Sequence, residues 1–114
     1  MYKILNKESE TVAYIQNMMI LNKKREKVIG LVIGDCFFGN DTKVIGKIID
    51  QKVYLLNGEI IGTIEANKDK KDPELKKGLM LEAWEILSNI KSHTSDWITI
   101  SKKWSKKSLI EVLL

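Results

Sequence analysis

The sequence contains few of the residues that build disulfides, metal centres and catalytic dyads. Its 114 residues include one cysteine, Cys36, and one histidine, His93. A single cysteine excludes an internal disulfide, and these two residues are too few for a zinc cluster. A histidine-based catalytic triad also needs a nucleophile and an orienting acid held in space beside the imidazole. The sequence therefore indicates no catalytic residue, no metal site and no cofactor, and we predict that the protein is not an enzyme.

Arginine and long apolar runs are also scarce. Arg25 is the only arginine among 19 basic residues, which face 15 acids and give a net charge of +4. Bidentate recognition of phosphates and bases relies mainly on arginine, so a nucleic-acid partner is less favoured than a protein partner. No apolar run approaches the roughly 18 residues that a transmembrane helix needs, and no signal-peptide pattern is present. We expect no transmembrane segment, and the lone thiol favours a cytoplasmic location.

A repeat of 16 residues organises the first half of the chain. Four apolar units begin at Val12, Val28, Val44 and Ile60, each 16 residues after the one before. A second apolar stretch precedes each unit, and short polar links join them all. Such links leave no room for crossover helices, so neighbouring strands should be antiparallel. We predict eight strands, at about 2–5, 11–16, 18–21, 27–33, 35–38, 43–49, 52–56 and 59–65.

Glycine recurs at one position of this 16-residue repeat. The third residue of the unit is Gly30, Gly46 or Gly62, and Tyr14 replaces it in the first unit. A glycine inside a strand commonly marks a bulge, a bend or a close backbone approach. The pattern predicts a mainly β fold with a C-terminal helix, in which four consecutive hairpins form a pseudo-fourfold closed or barrel-like arrangement.

The clearest turn signal is Asn57-Gly58, which lies between two apolar runs. Asn-Gly is the preferred pair for a two-residue type I′ hairpin loop. The surrounding segment, 53–64, reads Val-Tyr-Leu-Leu-Asn-Gly-Glu-Ile-Ile-Gly-Thr-Ile. With its three looser copies it resembles the repeat of the 4-fold beta flower family of small bacterial proteins. The resemblance covers about residues 1–66 and implies hairpins packed around a pseudo-fourfold axis, but it implies no activity.

The composition changes after residue 66, although we expect a single domain over 1–114. Residues 67–72 are typical of a solvated linker, and Asp72-Pro73-Glu74 is a good helix start. The helix is predicted over 73–92. Its apolar positions should pack on the β-structure, with Trp84 closing the core between them; they include Leu79, Ala83, Ile86 and Ile90. Residues 93–114 fit either a hairpin with strands at 97–100 and 108–113 or a segment that begins as an amphipathic helix.

Aromatic and basic residues gather in this last segment and form the candidate interaction surface. Its members are Trp97, Trp104, Lys102, Lys103, Lys106 and Lys107. Aromatic anchors carry much of the energy of protein interfaces. A solvated polar face explains the same lysines, and core packing explains the same tryptophans.

Three hypotheses for the function follow. The favoured one is a non-catalytic module that binds another protein or self-associates as a homo-oligomer through the C-terminal segment. The second is a nucleic-acid or anionic-surface binder that uses the Lys/Trp-rich segment, with an affinity that falls steeply with salt. The third is a small-ligand-binding β-structure, because clefts are not visible in a sequence.

Overall fold

The described part of the chain forms an antiparallel β-barrel with two helices. The computed structural model describes residues 1–39, 43–66, 78–90 and 98–114. The strands are β1 (Tyr2–Leu5), β2 (Thr11–Gln16), β3 (Met19–Leu21), β4 (Val28–Ile33), β5 (Cys36–Phe38), β6 (Val44–Ile49), β7 (Lys52–Leu55) and β8 (Ile60–Ala66). The helices are α1 (Leu79–Ser88) and α2 (Leu109–Leu113). The predicted β fold built from hairpins, with a C-terminal helix, is confirmed.

Each strand pairs with its neighbour along the chain, and β8 pairs with β1 to close the barrel. The closing register runs from Tyr2 opposite Ala66 to Leu5 opposite Thr63. Because the sheet closes on itself, neither β1 nor β8 leaves an unpaired edge.

The four hairpins share one register. Each has one extra, bulged residue at the same point of its second strand (Val12, Ile29, Ile45 or Ile61), which shifts the register just after the first-strand residues Ile4, Ile20, Phe37 and Val53. The residues opposite these four are Ala13, Gly30, Gly46 and Gly62, which therefore occupy equivalent positions. Ala13, and not Tyr14, takes the small-residue position of the first hairpin. Ala13 precedes Gly30 by 17 residues, one more than the 16-residue sequence repeat. The repeat therefore aligns Tyr14 with Gly30, whereas the structure aligns Ala13 with it.

Close backbone approaches require glycine at two of the repeated positions, Gly30 and Gly46. A Cβ atom at Gly30 would overlap the carbonyl oxygen of Phe38, and one at Gly46 would overlap that of Tyr54. In both cases the carbonyl belongs to the first strand of the following hairpin. A side chain at either glycine would therefore push two neighbouring hairpins apart.

The barrel interior is apolar, and α2 contributes to it from one end. The interior side chains that lie opposite the small residues belong to one buried cluster with Leu109 and Leu113 of α2. Leu113 approaches Gly30 and Gly39, and Ile110 lines clefts beside the β1–β2 and β3–β4 turns. The helix α2 therefore plugs the end of the barrel that carries these turns.

The helix α1 packs on the outside of the barrel. Leu79 and Ala83 are buried against the outer side chains of β3 and β4, and Ile86 and Ile90 pack at the edge of this cluster. The backbone N–H of Val28 donates a hydrogen bond to Glu82 Oε2 at 3.4 Å. This is the predicted apolar face of the helix.

The helix is shorter than the predicted 73–92. Gly78 precedes it with a φ of 94°, a left-handed conformation that a right-handed helix cannot include. It ends at Ser88, with Asn89 as its C-cap. The predicted linker 67–72 and the helix start at Asp72-Pro73-Glu74 lie outside the described residues.

The predicted C-terminal hairpin is wrong, whereas the start of the segment, 93–97, where the alternative places an amphipathic helix, lies outside the described residues. Residues 108–113 are not a strand: Leu109–Leu113 is helical and Ser108 caps it, because Ser108 Oγ accepts from the N–H of Glu111 and Glu111 Oε1 accepts from the N–H of Ser108, both at 3.2 Å. Ahead of it, residues 98–107 form an arm that runs along the outside of the barrel. Ile60 fixes the arm, because its N–H donates to the carbonyl of Lys103 at 2.8 Å and its carbonyl accepts from Ser105 at 2.7 Å.

The prediction of a two-residue type I′ loop at Asn57-Gly58 is wrong. The connection between β7 and β8 spans residues 56–59, and within it only Gly58 has a positive φ, of 90°. The arm passes over this loop, since the N–H of Ser101 donates to the carbonyl of Gly58 at 3.0 Å. Turns with positive φ at both positions lie instead between hairpins, for example at Asn17 and Met18 with φ of 50° and 67°.

Candidate functional site

The predicted C-terminal surface is partly built into the fold. Trp97 lies outside the described residues. Trp104 is half-buried and packs against the cluster of Tyr54, Ile60 and Ile98. Trp104 thus holds the arm against β7 and β8 and offers only part of its ring to a partner.

The four lysines of this segment are exposed but interspersed with acids. Lys103 Nζ lies 3.7 Å from Glu59 Oε2. Lys106 and Lys107 line a cleft of about 280 Å³ that also contains Glu8 and Glu111. Lys103, Lys106 and Lys107 therefore do not form a surface of one charge, which is what a polyanion would require. Lys102 is exposed as well.

A different surface, on α1, is apolar and exposed. Trp84, expected to close the core, is 61% exposed and Leu81 is 70% exposed. The expectation about Trp84 is wrong because the sheet side of the helix is already filled by the side chains of Leu79 and Ala83. A residue next to Ala83 in sequence points about 100° away from it around the helix. Trp84 therefore lies at the edge of the contact with the barrel.

Trp84 borders an apolar groove between α1 and the barrel, which we call the α1 groove. Its volume is about 140 Å³. The lining residues come from the β2–β3 turn, β3, β4 and α1: Asn17, Met18, Met19, Leu31, Ile33, Met80, Ala83, Trp84 and Leu87. Three of the four methionines of the chain are among them.

The α1 groove has a buried floor and an exposed rim. Met19 and Leu31 are buried on the barrel surface and form the floor. At the rim, Met18 is 57% exposed and Met80 is 49% exposed. The left-handed conformation of Met18 places it in a tight turn, where its side chain is not covered by a neighbouring strand. Methionine is flexible and polarizable, so this rim can adapt to the shape of a ligand.

Sequence reasoning missed this groove. The signal for it was the width of the apolar surface of the helix: Met80, Leu81 and Trp84 extend it well beyond the stripe that faces the barrel. A helix that is apolar around most of its circumference needs a second surface to cover it. Met18 gave no signal, because its place beside α1 depends on tertiary structure.

The one cysteine of the chain lies within the described residues, whereas the one histidine, His93, lies outside them. Cys36 is buried in β5, with Sγ 3.5 Å from Asp35 Oδ1, and Asp35 Oδ2 lies 3.7 Å from Lys47 Nζ. Burial keeps the thiol away from a substrate. In the parts of the chain that the structure describes, no group of three or more His, Cys, Asp and Glu side chains could hold a metal ion.

Over the same ranges, neither helix has the length and apolar character needed to cross a lipid bilayer.

No protein-family model, curated protein or solved structure matches the chain. The resemblance to the 4-fold beta flower family therefore stays a prediction.

Proposed function

We propose that the protein is a non-catalytic interaction module that docks a protein partner in the α1 groove. The observation that carries the proposal is the exposed indole of Trp84 beside an apolar groove with a buried floor. Contiguous exposed apolar surface is uncommon on soluble monomers and marks interaction sites. Tryptophan is also enriched among the residues that dominate binding energy.

The barrel supports this role as a rigid platform. Its strands are all paired, and no buried side-chain nitrogen or oxygen of the described residues lacks a hydrogen-bond partner. Because the groove floor belongs to β3 and β4, the fold holds it in place before a partner arrives. Binding to a preformed surface avoids much of the entropy cost of ordering it. The lone cysteine supports a reducing cytoplasm as the compartment of this module.

The α1 groove is favoured over the C-terminal segment as the docking surface. Trp104 already packs on Tyr54 and Ile60, so part of its apolar area is used within the chain. Trp84 keeps most of its area exposed. The basic segment then contributes to the solubility of the module and to the packing of the arm.

The proposal is tested by comparing three proteins: the full chain, Trp84→Ala and Leu81→Ala. Leu81 is the matched control, because it is an exposed apolar residue of the same helix that does not line the groove. Each protein is immobilised on a resin and incubated with a lysate of the organism that encodes it. The proteins that remain bound are quantified by mass spectrometry. We expect a specific partner whose recovery falls at least about tenfold with Trp84→Ala and stays unchanged with Leu81→Ala.

The same three proteins are also measured by light scattering after size-exclusion chromatography. The partner is a second copy if the full chain has twice the mass of a monomer and Trp84→Ala has the mass of a monomer. If the three proteins recover the same partners in the same amounts and have the same mass, the α1 groove is not the docking surface.

A further inference from the structure

Two exposed methionines lie at the rim of the α1 groove. Met18 belongs to the β2–β3 turn and Met80 to the first turn of α1, so they are far apart in the sequence and come together only in the fold. About half of each rim residue is exposed to solvent, whereas Met19 on the groove floor is 1% exposed. A small dissolved oxidant can therefore reach the two rim residues but not the floor.

The thioether of methionine reacts with hydrogen peroxide. The sulfur lone pair attacks one peroxide oxygen, an S–O bond forms and the O–O bond breaks. The second oxygen takes the proton of the first and leaves as water, so that sulfur loses two electrons and the peroxide gains them. The product is methionine sulfoxide, which dedicated reductases convert back to the thioether with electrons from thiols.

The other sulfur atoms of the chain differ from these two in accessibility or position. The sequence contains four methionines and one cysteine. Cys36 and Met19 are each 1% exposed, and Met1 does not line the groove. Met18 and Met80 are thus the two sulfur-containing residues that are both exposed and part of the α1 groove.

A sulfoxide changes the polarity of the rim. Its oxygen is a hydrogen-bond acceptor, whereas eight of the nine lining residues of the groove are apolar and Asn17 is the exception. In the free protein, water solvates this oxygen and the fold is unaffected. A partner that covers the rim with apolar atoms removes this water, and a polar group buried without a hydrogen bond costs free energy. Oxidation therefore disfavours the docked state.

We infer that Met18 and Met80 form a peroxide-sensitive modification site, at which oxidation to the sulfoxide lowers the affinity of the α1 groove for its partner and reduction restores it. This inference rests on the proposed docking function and adds its regulation. It holds for any partner that covers the rim with apolar atoms.

The test compares the full chain with a double variant, Met18→Leu with Met80→Leu. Leucine keeps the rim apolar at a similar volume and cannot form a sulfoxide. Both proteins are treated with dilute hydrogen peroxide, and peptide mass spectrometry follows the oxidation of each methionine and of Cys36 with time. The double variant retains Trp84 and Cys36, so damage to these residues would appear in both proteins.

The rates of oxidation locate the modification site. In the folded full chain, Met18 and Met80 should oxidise at least about tenfold faster than Met19, because burial keeps peroxide away from the floor. In concentrated urea the three rates should be similar. Circular dichroism and urea unfolding should show the same fold and the same midpoint before and after oxidation of the rim.

Two further measurements report the effect on the groove. Retention on a phenyl-substituted matrix measures the apolar surface without a partner. Docking is measured by recovery of the Trp84-dependent protein from the lysate, or by the mass of the dimer if the partner is a second copy. Oxidation should shorten the retention of the full chain and lower its docking at least about tenfold, while the double variant stays unchanged. The two methionine sulfoxide reductases, one for each sulfoxide epimer, should restore both properties.

Three results would contradict the inference. Equal oxidation rates for Met18, Met80 and Met19 in the folded chain would overturn the modification site. Selective oxidation that leaves docking unchanged, while Trp84→Ala still lowers it, would overturn the regulation and leave the docking function standing. If no recovered protein and no dimer depends on Trp84, both the docking function and its regulation by oxidation fail.

Discussion

Gly46 lies directly against the carbonyl oxygen of Tyr54, at the contact between the third and fourth hairpins. A Cβ atom there would overlap this oxygen and would also lie 2.7 Å from Cε1 of Phe37. We predict that Gly46→Ala lowers the free energy of unfolding by about 3 kcal/mol, because a paired backbone carbonyl cannot move aside. Urea unfolding followed by circular dichroism measures the change.

Gly62→Ala is the matched control for this prediction. The Cβ atom would lie 2.9 Å from Cγ2 of Ile4 and 3.3 Å from the carbonyl oxygen of Leu5, so its overlap with the backbone is much smaller than at Gly46. We expect a cost of about 1 kcal/mol. Equal costs at Gly46 and Gly62 would show that the backbone approach is not what selects glycine.

The plug formed by α2 gives the second prediction. Leu113 is 1% exposed inside the barrel end, whereas the neighbouring Leu114 is 63% exposed. Leu113→Ala should lower the free energy of unfolding by about 3 kcal/mol, as expected for a leucine truncated in a core. Leu114→Ala should change it by less than about 0.5 kcal/mol. Similar denaturant midpoints for the two variants would mean that α2 does not occupy the barrel end in solution.

Truncation of the two described tryptophans should lower the free energy of unfolding by different amounts. Trp104→Ala removes packing against Tyr54 and Ile60 and should cost about 2 kcal/mol of folding free energy, less than a fully buried tryptophan because Trp104 is half-buried. Trp84→Ala should cost less than about 0.5 kcal/mol, because most of this side chain is exposed. Thermal and urea unfolding check both values. A larger loss of stability from Trp84→Ala would place Trp84 in the core after all.

The basic C-terminal segment should not bind polyanions strongly. With Lys103 beside Glu59, and Lys106 and Lys107 in a cleft with acids, we predict that a labelled single-stranded oligonucleotide binds no more tightly than about 10⁻⁶ M at physiological salt. Fluorescence anisotropy over a salt series measures this affinity. Tighter binding that falls steeply with salt and is lost in Lys106→Gln with Lys107→Gln would instead support the nucleic-acid hypothesis.

The sequence predicted the strands well because the information that defines them is local. Apolar runs alternate with polar turns at short spacing, and every predicted strand boundary lies within one residue of the observed one. The recurring glycines also carried structural information, since Gly30, Gly46 and Gly62 mark one position of the shared register. The first hairpin was misaligned because Ala13 can replace glycine there, which no periodicity argument distinguishes from an ordinary strand residue.

The candidate site was not predictable in the same way, because it depends on contacts between distant parts of the chain. Whether Trp84 faces the barrel or solvent depends on which side of α1 is already filled by Leu79 and Ala83. Met18 is next to α1 only because β3 and β4 carry the helix. The role of Leu109 and Leu113 likewise follows from the barrel end that they fill, since five apolar and polar residues in a row fit a strand or a helix equally well.

The single pairing of β1 with β8 also determines the order in which the barrel can form. Every other strand pairs with the next strand along the chain, so these contacts close short loops and can form early. Tyr2 and Ala66, by contrast, meet only when the ends of the whole β segment come together. Until then both β1 and β8 are open edges that can recruit strands from other molecules. Closure is thus the step that should limit the folding rate, and the partly folded chain is most prone to aggregate immediately before it.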